Sequence, residues 1–317
     1  MTSGAFSNSA EAAREAKERD SLRHTQAVPA ALSKPPVDMT DLVARALAVL
    51  DESRMAGNVP YREETVAAQA PTQSASLEPA QAERLALQRR ILSDGSECFL
   101  PIRYFDVQCL VAAFLAPPDG AFALLAGTGL QPVLQEDGKA VVDLYCIEYR
   151  KTDIGPYNEV GLTVRAKAPG DPVAASYVAQ LPVTTAFANR AGREIWGYNK
   201  FVAAIDVRSE GRTFSTVLRD GVNEIIGALE GRRGASAPAP PADILTFSLH
   251  CGRLTKTVIR VLTPSLASGG EGFLFKVGAS RHPMADNLRS LGLDGARPVL
   301  VSYADPFQAL LFPGQAI

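Results

Sequence analysis

From about residue 97 to the C-terminus the chain breaks into short runs rich in β-branched and aromatic residues, separated by glycine, proline, asparagine and aspartate. No other feature restricts the fold as strongly. Ten such runs, at residues 99–105, 108–115, 140–150, 159–168, 201–207, 213–218, 246–252, 255–261, 273–277 and 299–303, predict a mainly antiparallel sheet or closed barrel. Helical periodicity is confined to short pieces at 119–125, 176–181, 185–196 and 284–291, so the expected class is α+β with peripheral helices.

The first ninety or so residues have a different texture. They are rich in Ala, Ser, Gln and charge and are interrupted by Lys34-Pro35-Pro36 and Ala70-Pro71-Thr72. Residues 1–95 therefore read as a partly flexible extension, and 96–317 as the folded domain. Within the extension a helix at 40–51 presents Leu42, Val43, Ala46, Leu47 and Leu50 on one stripe, and a second helix fits 81–91 before the turn-forming Ser93-Asp94-Gly95. The proline-rich stretch 231–241 reads as a surface loop inserted between strands.

Composition removes several function classes. A chain of 317 residues with 46% hydrophobic content can bury a sizeable core, and a net charge of -2 leaves no broad cationic face for nucleic-acid phosphates. Cys98, Cys109, Cys146 and Cys251 are widely spaced, which suggests neither a zinc site nor a disulfide framework; they read as buried small hydrophobes. The N-terminus lacks an apolar leader segment and no apolar run reaches membrane-spanning length, so a soluble, cytoplasmic protein is expected.

The most distinctive local sequence is Gly192-Arg193-Glu194-Ile195-Trp196-Gly197-Tyr198-Asn199-Lys200-Phe201, followed by Val202-Ala203-Ala204-Ile205-Asp206-Val207. A helix stopped by Gly197 and handed into a strand would put Lys200 at the start of that strand, among apolar neighbours. Such a setting matters chemically. An ordinary lysine, with a pKa of about 10.4, is almost entirely ammonium at neutral pH, and removal from water penalises the charged form. The neutral amine can condense with a ketone, and the protonated imine then withdraws electrons from the adjacent carbon.

This segment resembles the G-R-E-x-W-G-[FY]-P-K sequence of acetoacetate decarboxylase-like proteins, whose final lysine is the Schiff-base nucleophile. The mechanism of acetoacetate decarboxylase is a standard example of an activated lysine. The resemblance runs from roughly residue 97 to the C-terminus and includes Ile154-Gly155-Pro156-Tyr157-Asn158-Glu159. It implies Lys200 as nucleophile, Glu159 as active-site carboxylate and Arg103 as clamp for a substrate carboxylate; Tyr157 and Trp196 stand as candidate substrate-binding residues, with Trp196, the only tryptophan, read first as a core anchor. It also implies a second carboxylate, for which Glu148 is preferred over Asp143. Two positions depart from the pattern: Phe201 stands where the family's decarboxylases carry a second lysine, and Asn199 where they carry proline.

The function expected is a cofactor-independent lyase, needing no metal, that acts on a small oxo acid through an imine at Lys200 and forms homo-oligomers. One alternative keeps the imine but condenses pyruvate with an aldehyde and dehydrates the product. Another is a non-catalytic small-molecule binding protein of the same fold. Elsewhere, His282 reads as a loop residue, adjacent His250 and Cys251 face opposite ways on a strand, and Gly269-Gly270-Glu271-Gly272 reads as a turn.

Overall fold

The computed structural model describes residues 87–317. The elements run β1 (Gln88–Ile91), β2 (Glu97–Leu100), β3 (Ile102–Ala116), α1 (Pro118–Leu125), β4 (Gln131–Pro132), β5 (Ala140–Thr152), β6 (Tyr157–Lys167), β7 (Ala174–Gln180) and α2 (Ala186–Trp196). They continue through β8 (Ala204–Glu210), β9 (Thr213–Arg219), β10 (Ile225–Arg232), β11 (Ala237–Ala239), β12 (Ile244–His250), β13 (Arg253–Val261) and β14 (Ser265–Gly269). The chain closes with β15 (Phe273–Val277), α3 (Pro283–Ser290), β16 (Leu300–Ala304), β17 (Ala309–Leu311) and β18 (Gln315–Ala316).

Seven of these strands close a barrel in the order β3, β5, β6, β7, β12, β13, β17 and back to β3. Its neighbours pair antiparallel except β7 with β12, which run parallel. A second, four-stranded sheet of order β15-β10-β9-β8 lies beside it, and β16, β14 and β11 extend from β3.

The long strand β3 shows how one sequence serves two cores. Val107 and Cys109 turn into the barrel, with Ile147, Tyr149 and Tyr157. Leu110, Ala112 and Phe114 turn outward to pack with Phe214, Phe273 and Phe275 of the second sheet and with Met284 and Leu288 of α3. Each fully buried Phe or Leu there contributes roughly 1.5–3 kcal/mol relative to exposure. Burial on both faces is confined to Val107–Leu110, where four consecutive residues are buried, and the strand alternates on either side of them.

Three expectations are corrected. Residues 176–181 form most of β7 rather than a helix: the segment is hydrogen-bonded to β6 on one side and β12 on the other, and small residues are buried on both its faces. Residues 88–91 form β1, not a helix end, because Gly95, at φ 81°, closes a hairpin with β2 across the Ser93-Asp94-Gly95 turn. The stretch 231–241 is not all loop, since β11 within it pairs with β14. The helix expected at 40–51 and the start of that at 81–91 lie outside the described residues. No helix among the described residues is long and apolar enough to cross a membrane.

Candidate active site

The segment 192–200 can be read residue by residue. Helix α2 begins at Thr185, whose side chain accepts from the Ala188 N–H, and ends at Gly197 in the left-handed conformation, φ 68°. Gly197 is required twice over: any Cβ there would also fall 2.4 Å from the Leu249 carbonyl oxygen. Arg193 donates to the Lys200 carbonyl at 2.9 Å, and Glu194 accepts from the N–H of Ser93 at 2.8 Å. The Trp196 indole N–H donates to the Phe312 carbonyl at 2.8 Å, and the hydroxyls of Tyr198 and Thr246 share a 2.8 Å bond. Asn199, in the family's proline position, donates to the Ala179 carbonyl at 2.9 Å.

After Gly197 the chain does not enter a regular strand at once. Residues 199–203 run alongside 181–183, with Leu181 N–H bonded to Asn199 O, Val183 N–H to Phe201 O and Ala203 N–H to Val183 O. β8 begins only at Ala204. Lys200 thus sits on an extended, tethered segment at the barrel rather than on a strand of the sheet. Its side chain enters the barrel interior, while Phe201 turns the other way to pack on the outer core and the His282 ring, 4.3 Å between centroids. A lysine at 201 would therefore not face Lys200.

Inside the barrel, Lys200 is 5% exposed and its amine donates to Glu159 Oε2; Glu159 is 6% exposed. The Tyr149 hydroxyl donates to Glu159 Oε1 at 3.1 Å, fixing the carboxylate in plane. The pair opens onto a cavity of about 90 Å³, room for roughly half a dozen waters or a small organic acid. Tyr157 and Trp196 line it, as do Tyr104, Tyr149, Tyr198 and Cys109. Tyr149 and Tyr157 stack at 4.2 Å and Tyr104 leans on Tyr149 at 5.0 Å.

These hydroxyls stay protonated. Burial, and then the Glu159 charge, push the Tyr149 phenol well above its ordinary range, and burial followed by Tyr104 and Glu159 does the same for Tyr157. Burial also pushes Cys109 and Tyr198 up to about 12. Among the residues lining the cavity, Lys200 is the only amine, Glu159 the only carboxylate, and there is no arginine or histidine.

The structure thus brings Lys200, Glu159, Tyr157 and Trp196 to one cavity, and it does not bring Arg103 or Glu148 there. Strand alternation is the reason. Ile102 and Tyr104 point inward, so Arg103 between them points out, where its guanidinium meets Asp153 at 2.9 Å. Ile147 and Tyr149 likewise turn Glu148 outward, into a separate polar cleft with Arg150, Tyr303 and Asp305. Asp143, the rival to Glu148, is buried but bonded to Arg165 at 2.8 Å. Cys251 also departs from expectation: it is exposed, at φ 51°, in the turn between β12 and β13. His282 accepts the Met284 N–H as the N-cap of α3.

Sequence reasoning passed over Gly192 and Thr163. The Cβ missing at Gly192 leaves the space through which the Lys200 side chain passes, a role visible only once helix and lysine are both placed. Thr163 lines the cavity and carries a hydroxyl with no hydrogen-bond partner; an internal threonine in a strand gives no sequence signal.

Fold and site together define a closed β-barrel protein whose interior holds a buried amine against a buried carboxylate. The model of the acetoacetate decarboxylase family matches residues 92–244. No curated protein matches the chain in sequence. Among solved structures, the acetoacetate decarboxylase of Legionella pneumophila is similar at 18% identity and TM-score 0.52, over 68% of this chain and 87% of that one. An acetoacetate decarboxylase-like enzyme from Sphingomonas wittichii matches at 13% identity and TM-score 0.51, over 67% and 91%. The enduracididine biosynthesis enzyme MppR, complexed with the condensation product of pyruvate and imidazole 4-carboxaldehyde, matches at 13% identity and TM-score 0.51, over 68% and 89%. At these identities the likeness is one of fold.

Proposed function

We propose that the protein is a Schiff-base enzyme in which Lys200 condenses with the carbonyl of a small oxo acid. The observation that carries this reading is the amine of Lys200, removed from water and held against Glu159 at the wall of an otherwise apolar cavity. Glu159 takes a proton from the ammonium, freeing the lone pair that attacks the carbonyl carbon. The same proton returns to the hydroxyl of the carbinolamine, which leaves as water.

The protonated imine then accepts an electron pair from the adjacent carbon. For a β-oxo acid the bond to the carboxylate breaks, carbon dioxide leaves and an enamine remains. Protonation at carbon and hydrolysis of the imine return Lys200 and release a ketone. An apolar wall favours this step, because a carboxylate poorly solvated in the bound state becomes neutral carbon dioxide. The imine is itself the electron sink, so the chemistry is complete without metal or organic cofactor. A homo-oligomer acting on a soluble metabolite fits the family resemblance.

A second reading keeps the imine. With pyruvate, loss of a proton from the methyl group gives an enamine that attacks an aldehyde, and water is then eliminated. Phe201 in place of the family's second lysine, together with the fold shared with MppR, favours it. Carbon dioxide release from acetoacetate, measured beside enone absorbance with pyruvate and an aldehyde, separates the two. Borohydride reduction with a panel of oxo acids tests the shared step: a mass increase on the peptide containing Lys200 supports it. No adduct with any oxo acid would leave a binding protein of the same fold.

A further inference from the structure

The cavity's shape and its one unsatisfied hydroxyl speak to what lies beyond the reacting carbonyl, given the imine reading of Lys200. Tyr157, Glu159 and Thr163 all line the cavity from β6, and Glu159 is where the amine sits. At about 3.3 Å per residue, Tyr157 is roughly 7 Å to one side of that point and Thr163 roughly 13 Å to the other. The reacting position is therefore off-centre, with the longer arm running toward Thr163.

Val178 beside Thr163 and Leu181 against Gly161 give this arm an apolar wall, with Tyr145 facing Gly161 partway along it. Thr163 is 3% exposed and its hydroxyl has no partner among the protein groups; a buried hydroxyl left unpaired costs on the order of 1–3 kcal/mol. Two other hydroxyls of the barrel interior are paired, Thr246 with Tyr198 and Ser248 with the Trp196 carbonyl, and Thr257, which also lacks a partner, does not line the cavity. On the same rung, Asp143 of β5 stands directly opposite Thr163 and is held in an ion pair with Arg165.

We propose that the substrate is a carbonyl compound with an apolar chain longer than that of acetoacetate or pyruvate, ending in a neutral hydrogen-bonding group that meets Thr163. The short arm, beneath the hydroxyls of Tyr149 and Tyr157, takes the carboxylate or methyl side of the carbonyl. Thr163 is then a specificity-determining residue.

The test uses borohydride trapping on the full chain with methyl ketones of increasing length, ending in either methyl or hydroxyl, and with pyruvate as the short reference. The concentration giving half-maximal adduct should fall about tenfold or more from acetone to ketones long enough to reach Thr163. A hydroxyl end should gain a further factor of about ten, the worth of one good buried hydrogen bond. Thr163→Val should abolish the hydroxyl advantage without lowering thermal stability, since it removes an unpaired polar group. Thr163→Ser should retain the advantage. Equal trapping at all lengths, a preference for acetone or pyruvate, or an unchanged hydroxyl advantage in Thr163→Val would overturn the proposal while leaving the imine at Lys200 intact. Absence of any adduct, pyruvate included, would remove the imine reading and this proposal with it.

Discussion

A Cβ on Gly192 would lie 2.3 Å from Cε and 2.4 Å from Cδ of Lys200, so the lysine side chain occupies the volume that this helical glycine leaves empty. The relationship links the first residue of the motif to its last. It also explains a glycine inside α2, where glycine costs roughly 0.5–1 kcal/mol relative to alanine.

Gly192→Ala should therefore strike stability and chemistry together. The obstructed atoms belong to Lys200, which must shift from its buried place against Glu159. Thermal denaturation should show a midpoint below wild type, and borohydride trapping at Lys200 should fall tenfold or more. A midpoint drop with trapping intact would show that the glycine serves helix packing alone.

Breaking the buried pair from one side should be costly. Lys200→Met leaves Glu159 uncompensated inside the barrel, and Glu159→Gln does the same to Lys200, each costing about 3–5 kcal/mol in the manner of severed buried ion pairs. The double variant should recover much of that loss, giving a coupling energy measurable by urea denaturation. Additive losses would mean that the two groups do not share their burial.

How far the sequence reached follows from which interactions are local. The motif at 192–200 placed the Lys200 chemistry because its turn, cap and carbonyl clamp lie within nine residues of one another. The run of short strands announced a β-rich fold. The outward direction of Arg103 and Glu148 depended on strand phase, and a one-residue ambiguity in phase reverses every side chain. At β3 that phase is further disturbed by irregular pairing between Tyr104 and Val107. β7 was misread because its neighbours β6 and β12 bury both faces, which leaves composition without periodicity. The parallel β7–β12 pair that closes the barrel joins residues about seventy apart in the chain, and nothing local encodes it.

Thiol reactivity should divide the four cysteines one against three. Cys98, Cys109 and Cys146 are buried, with burial pushing each thiol above its ordinary range, whereas Cys251 is exposed in a turn. Titration with a disulfide reagent under native conditions should show one fast thiol, lost in Cys251→Ser. Two or more fast thiols would contradict the packing of the barrel interior.

The polar cleft supplies a pH test. Burial pushes the Asp305 carboxyl up, but the hydrogen bonds from Arg150 and Gln108 outweigh it and hold the group below its usual range. A depressed folded-state value stabilises the protein above the unfolded value, about 3.9, and the contribution disappears as pH falls through the folded value. Arg150→Met should therefore reduce stability at neutral pH by about 1 kcal/mol or less, given partial exposure. The difference should shrink as pH drops below about 4. Urea titrations across that range check it, and a difference independent of pH would refute the assignment.

The central claim is that Lys200 forms a reversible covalent bond to a carbonyl carbon. Because forming and hydrolysing an imine replaces the carbonyl oxygen with one from water, oxygen exchange from isotopically heavy water into a simple ketone reads that bond without requiring the true substrate. Wild-type protein should accelerate exchange well above buffer, and Lys200→Met should return it to the buffer rate. Exchange at the buffer rate with wild-type protein, or equally fast in Lys200→Met, would contradict the account.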